Sequence, residues 1–197
     1  LNEFPTSPYA EKVSNYLVEV YMNTRSYEAA LKSIERIAKP SAQIMEAKQK
    51  ILFQLGTQSF ANANFEQALQ YLNQSITIGQ YNRQTKADAY YWCGESYYRL
   101  NRMMEAARDF NAYLQLTTQP NNEMYALANY NLGYIAFHRK DYTQASNYFQ
   151  KYIQLEKGEN RTALADAYNR IGDCHLNVRN FEEAKHYYSQ AEQMNTP

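Results

Sequence analysis

Apolar residues along this chain recur at helical spacing, in pairs of stripes separated by a few polar residues. In one such pair Leu132, Ile135 and Ala136 mark the first stripe, and Ala145, Tyr148, Phe149 and Tyr152 mark the second. The separators are short and polar: Asn62-Ala63-Asn64, Asn101-Arg102, Lys140-Asp141 and Arg179-Asn180. The pattern predicts helix, tight turn, helix, repeated along the chain.

The repeat has a fixed period. Gly56, Gly94, Gly133 and Gly172 follow one another at intervals of 38, 39 and 39 residues. Ala30, Ala68, Ala106, Ala145 and Ala184 form a second ladder with intervals of 38, 38, 39 and 39, and Tyr27, Phe65, Met103, Tyr142 and Phe181 form a third with the same intervals. Three ladders in one register define five units, at about 11–48, 49–86, 87–125, 126–164 and 165–197. Such a period marks a solenoid, in which a unit cannot bury its own apolar face and stacks on its neighbours. The glycines and alanines are expected where the two helices of a hairpin cross, so that the backbones approach closely. Glycine in mid-helix costs about 1 kcal/mol relative to alanine, and close packing has to offset that at each recurrence.

An aromatic followed by Leu-Gly and Tyr on the first helix, then Ala with an aromatic four residues later on the second, is the pattern of the tetratricopeptide repeat. Tyr90, Cys93-Gly94, Tyr97, Ala106 and Phe110 resemble it, as do Leu132-Gly133, Ala145 and Phe149, and Tyr168, Ile171-Gly172, Ala184 and Tyr188. Leu55-Gly56, Ala68 and Leu72 carry less of the pattern, and Leu17-Val18, Tyr21, Ala30 and Ile34 lack its glycine. The chain resembles this family over residues 8–196. The resemblance implies an all-α fold: a right-handed superhelical solenoid of about five antiparallel helix hairpins, one array over residues 1–197. It also implies a non-catalytic scaffold that binds a protein or peptide. The family period is about 34 residues; the surplus here is expected as an extra turn at the start of each first helix and as longer linkers at 79–85, 117–122 and 158–160. The proline that commonly closes the second helix is mostly missing, with Pro120 displaced into a linker.

Charge changes the picture by exclusion. Twenty basic residues balance twenty acidic ones, so no basic stripe exists to follow a phosphate backbone, and nucleic acid is not an expected partner. No run of about 18 apolar residues occurs, so no membrane insertion is expected. The stretch Phe4-Pro5-Thr6-Ser7-Pro8-Tyr9-Ala10 resembles the linker before repeats in bacterial envelope proteins of the Tol-Pal and outer-membrane assembly type, which implies a periplasmic location; the cytoplasm is the alternative. The chain begins at Leu1 in what reads as an inter-helix linker, so a piece of a longer protein is expected. Cys93 and Cys174 fall two repeats apart and are expected as free, buried thiols.

Candidate chemistry is sparse. Asp173-Cys174-His175 has the residue types of a cysteine nucleophile, but consecutive helical residues point about 100° apart and do not meet around one substrate. His138 and His186 have no Cys or carboxylate at ligand spacing, so neither a metal nor a cofactor is expected. Glu182-Glu183 stands in a first helical turn, where acids complement the helix dipole.

What remains is the face of the first helices, which in this family lines the concave side. In register, Phe53, Tyr91 and Tyr130 form one series of rungs, Phe60, Tyr98 and Phe137 another, with Thr57, Glu95 and Tyr134 between them. Arg99, Asn131, His138, Asn169 and Arg170 are their polar company. The expected partner groove therefore comprises Phe53, Phe60, Tyr91, Glu95, Tyr98, Arg99, Tyr130, Asn131, Tyr134, His138 and Arg170. An aromatic ladder at this spacing lines either a groove or the seam between adjacent first helices; the alternative function is an architectural spacer or self-association module. Chaperone-binding members of the family clamp a C-terminal carboxylate with lysine, asparagine and arginine. Asn131 and Arg170 match two of those positions, but Tyr91 and Glu95 stand where lysine and asparagine are needed, and an acid there repels the ligand. Finally, the last helix, with Phe181, Tyr187, Tyr188 and Met194, has no polar capping helix after it, so end-to-end self-association or further repeats are expected.

Overall fold

The computed structural model describes Lys12, Tyr16, Val18, Glu19 and residues 25–196; Leu17, Tyr21 and the 4–10 stretch lie outside the described residues. From residue 25 onward the described chain forms nine α-helices and no strand, and it falls into two compact units, Leu1–Thr117 and Thr118–Pro197. It is an all-α helical-repeat solenoid. The first unit holds α1 (Tyr27–Glu35), α2 (Ala42–Ala61), α3 (Phe65–Thr77), α4 (Arg83–Arg99) and α5 (Met103–Leu116), with a 3-10 turn at Gly79–Tyr81. The second holds α6 (Glu123–His138), α7 (Tyr142–Leu155), α8 (Arg161–Asn177) and α9 (Phe181–Asn195). The bulky ladder of Tyr27, Phe65, Met103, Tyr142 and Phe181 opens every second helix.

A repeated backbone device makes the hairpin turns. Arg25, Ala63, Asn101, Lys140 and Arg179 take left-handed φ values between 59° and 64°. Behind each of the last four, the next N–H donates five residues back: Asn64 to Ser59 and Arg102 to Tyr97 at 2.8 Å, Asp141 to Ala136 at 2.9 Å, and Asn180 to His175 at 2.8 Å. This is the Schellman closure, usually built on glycine. The residue that completes it also caps the next helix: the side chains of Asn64 and Asp141 accept from Gln67 and Gln144. Two helices are thereby joined through three residues.

The alanine ladder is buried throughout, with Ala30, Ala68, Ala106 and Ala145 at 0% exposure and Ala184 at 2%. The glycine ladder works differently from the expected backbone approach. A Cβ on Gly94 would stand 2.7 Å from the Phe110 ring, on Gly133 2.8 Å from Phe149, on Gly172 2.6 Å from Tyr188 and on Gly56 2.6 Å from Leu72. Each glycine is the seat of a large side chain from the second helix of its hairpin. In the first repeat Val18 takes the glycine's place and the facing residue is Ile34, smaller than the rings of Phe110, Phe149 and Tyr188; both are buried.

Surplus length appears where the period required it. First helices run to 20, 17, 16 and 17 residues, and the linkers occupy 78–82, 117–122 and 156–160. Thr85, expected in a linker, lies inside α4, because Asn82 caps that helix by accepting the Thr85 N–H at 2.9 Å. The last hairpin uses most of its apolar side chains internally: Tyr188 sits on Gly172, and Tyr187 stacks on His175 at 5.4 Å. On α7, Tyr142, Thr143, Ser146 and Gln150 border a cleft against α8, whereas their register equivalents on α9 are Phe181, Glu182, Lys185 and Ser189, all exposed. That row of α9 is polar apart from Phe181.

Candidate functional site

The expected site residues separate into two groups, one in each unit. On α2 and α4 of the first unit, Phe53, Phe60, Glu95 and Tyr98 are half-buried and Arg99 is exposed. Phe60 meets Phe65 edge-on at 5.3 Å and Trp92 at 5.0 Å, and the Arg99 guanidinium lies 5.6 Å from its ring centroid. Burial first, and then the nearby Glu95 charge, raises the Tyr98 pKa above its ordinary value. Tyr91 does not belong to the surface. It is 3% exposed, enclosed by Trp92, Phe110 and Tyr113 at 5.2, 5.7 and 5.4 Å, with its hydroxyl donating to Glu95 at 3.0 Å. Its neighbour Trp92 packs edge-on against it and is itself half-buried.

In the second unit Tyr130, Asn131, Tyr134 and Arg170 are half-buried and His138 is exposed. Asn131 holds the register position of Trp92, and Tyr130 accordingly stays partly open where Tyr91 is closed. Tyr130 and Tyr134 meet edge-on at 5.2 Å, and both lean on Phe149, at 5.8 and 5.2 Å. Their hydroxyls converge on one oxygen of Asp166 on α8, Tyr130 at 2.5 Å and Tyr134 closer still. Arg170 stands one turn on, 3.9 Å from the other Asp166 oxygen and 3.2 Å from Asp173, which also accepts the Tyr188 hydroxyl at 2.5 Å. Two carboxylates thus flank one guanidinium. Burial, reinforced by donation to a carboxylate, pushes the Tyr134 and Tyr188 pKa values up to about 12 and holds Tyr130 well above the ordinary tyrosine value. His138 lies 6.2 Å from the Tyr134 ring.

Asp166 and Trp92 were not among the residues singled out from the sequence, and Asp173 was weighed there only beside Cys174 and His175. Asp166 and Arg170 form an i,i+4 acid–base pair on one helix face, and Trp92 shares a register position with Asn131 and Arg170; those were the available signals. Asp173, Cys174 and His175 diverge as expected: Asp173 joins the Arg170 network, Cys174 is buried with its pKa raised to about 11, chiefly by burial, and His175 stacks on Tyr187. Cys93 and Cys174 are both free and buried. Among the described residues no group of three His, Cys, Asp or Glu could hold a metal ion, and no helix is long and apolar enough to cross a membrane.

Residues 123–196, which form α6 to α9, match the family model of the tetratricopeptide repeat. Those four helices carry the tetratricopeptide-repeat match. No curated protein sequence matches it. Among solved structures the repeats are similar to MamA, with a TM-score of 0.63 and 18% identity over 93% of this chain and 91% of that one. They are similar to BtubC from P. vanneervenii, with a TM-score of 0.64 and 13% identity over 94% and 80%. They are also similar to YrrB, a tetratricopeptide-repeat protein with an unusual peptide-binding site, with a TM-score of 0.64 and 15% identity over 90% and 82%. At these identities the likeness is one of fold. The tetratricopeptide repeat is a fold of protein-interaction scaffolds.

Proposed function

We propose that this chain is a non-catalytic scaffold that holds a protein or peptide on the open faces of its first helices. The observation that carries the reading is the Tyr130–Tyr134–Asp166–Arg170 cluster, where half-buried rings present polar tips beside mixed charge on a helix face. Rings with an apolar body and a polar end, accompanied by arginine, are the side chains favoured at interfaces. Phe60, Trp92 and Arg99 offer the same combination in the first unit. A segment laid on either face gains roughly 25 cal/mol per Å² of apolar area covered, while the charges set selectivity and association rate more than affinity. The peptide-binding site of YrrB supports the reading from a chain of like fold.

One observation favours the spacer alternative: Tyr130 and Tyr134 also rest on Phe149, so part of their area already serves packing. Exposed positions separate the two readings. Replacing Arg99 and His138 together by Glu leaves the hydrophobic cores intact. The scaffold reading predicts that partner capture from the source cell drops sharply while the chain stays folded and melts cooperatively, lowered only by the lost Arg99–Phe60 contact and the two acids at helix ends. Identical capture by parent and variant would remove the first-helix faces from the account.

A further inference from the structure

In two hairpins an arginine stitches the start of the first helix to the end of the second. Arg83 Nε donates to the Leu116 carbonyl at 3.1 Å, and Arg161 Nε donates to the Met194 carbonyl at 3.1 Å. Each arginine directly follows the N-cap asparagine, Asn82 or Asn160, and each lies eleven residues before its hairpin glycine, Gly94 or Gly172. The α6–α7 hairpin departs from this. Eleven residues before Gly133 stands Asn122, which is itself the cap, its Oδ1 accepting the Tyr125 N–H at 2.9 Å, and Glu123 follows it. The cap has moved one residue along and occupies the arginine's place.

A cleft of about 310 Å³ opens at that point. Its lining includes Leu155, whose carbonyl is in register with those of Leu116 and Met194, together with Glu123, Glu156, Glu159, Ala126 and Tyr152. Three carboxylates face a single lysine, Lys157; the end of α7 adds a negative pole, set against the positive starts of α6 and α8 at the same cleft. Glu156 is engaged in shaping the linker, accepting the N–H groups of Glu159 and Asn160 at 3.1 and 3.2 Å, whereas Glu123 and Glu159 are exposed. Ala126 and Tyr152 supply an apolar wall suited to an alkyl stem.

We propose that this cleft receives an arginine side chain presented by a partner polypeptide, in the place that Arg83 and Arg161 fill from within their own hairpins. A planar guanidinium can donate to the Leu155 carbonyl and to a carboxylate at once, which a lysine ammonium matches less well. Tyr152 also packs on Tyr130, at 4.9 Å, but the site is tested through the charges of Glu123 and Glu159, which the aromatic faces do not use.

The test uses the full chain, labelled with 15N, and the peptide acetyl-Gly-Arg-Gly-amide, with its citrulline counterpart as the uncharged control. Saturable shifts of the backbone amides at 121–123 and 155–160 are expected with the arginine peptide, and binding about tenfold or more weaker with citrulline. Asn122→Arg restores the sister arrangement, since Asn121 then stands where Asn82 and Asn160 stand; it should abolish the shifts while far-UV circular dichroism stays unchanged. Should that variant fold poorly, Glu123→Gln combined with Glu159→Gln removes two exposed charges without touching the cap and should weaken binding by about tenfold. Shifts that never saturate, that are equal for citrulline, or that persist undiminished in both variants overturn the proposal.

Discussion

At four hairpin crossings a glycine and a large side chain share one volume, and that exchange decides what the position tolerates. Gly133→Ala brings a Cβ to 2.8 Å from the Phe149 ring, which should cost about 1–3 kcal/mol by overpacking. Combining it with Phe149→Ile moves toward the Val18–Ile34 pair, so the double variant should lose less than the sum of its parts; strict additivity in chemical denaturation would show that the two do not share the space. The turns carry the opposite kind of strain. Lys140 holds φ at 62°, and Lys140→Gly should stabilise the second unit by about 1 kcal/mol, visible as a raised denaturation midpoint. The tyrosyl hydroxyls set an alkaline limit. Tyr134 and Tyr188, with pKa values near 12 in the folded chain against about 10 unfolded, bind protons more tightly when folded. Their contribution is complete below pH 10 and is lost as pH rises toward 12. Absorbance at 295 nm should therefore show a late tyrosinate phase coinciding with loss of helicity. A single phase near pH 10 with helicity intact would contradict it.

The elements were legible in the sequence because ladders in one register fix helix, turn and helix together, and the ladder of Tyr27 to Phe181 marks the opening residue of every second helix. What fills the glycine positions was not legible, since an interval of 38 or 39 residues reports recurrence and not the neighbour across the hairpin. The site was legible only in part for a related reason. Tyr91 and Tyr130 share a register position, yet one is closed and the other half open, because the next residue is Trp92 in one repeat and Asn131 in the other. Asp166 escaped notice because its importance comes from two tyrosines on α6, more than 30 positions away. Removing both hydroxyl donors, with Tyr130→Phe and Tyr134→Phe, keeps the rings against Phe149 but strips Asp166 of its donors. The unit should lose about 1–3 kcal/mol, and a compensating Asp166→Leu should recover part of it; no loss in thermal melting would mean that water already serves the carboxylate.

Across the whole molecule the charges cancel, so on the proposed scaffold reading selectivity would rest with local groupings such as Asp166, Arg170 and Asp173 rather than with a general field. Function then depends on which surfaces a partner touches, and the central claim is that it touches the first helices. The most direct measurement places a photo-crosslinking amino acid at His138, on the proposed face, and in a separate chain at Gln144, an exposed position on α7. Irradiation in the source cell should give a discrete adduct from position 138 and none from position 144. Equal adducts from both positions, or an adduct from 144 alone, would contradict the account.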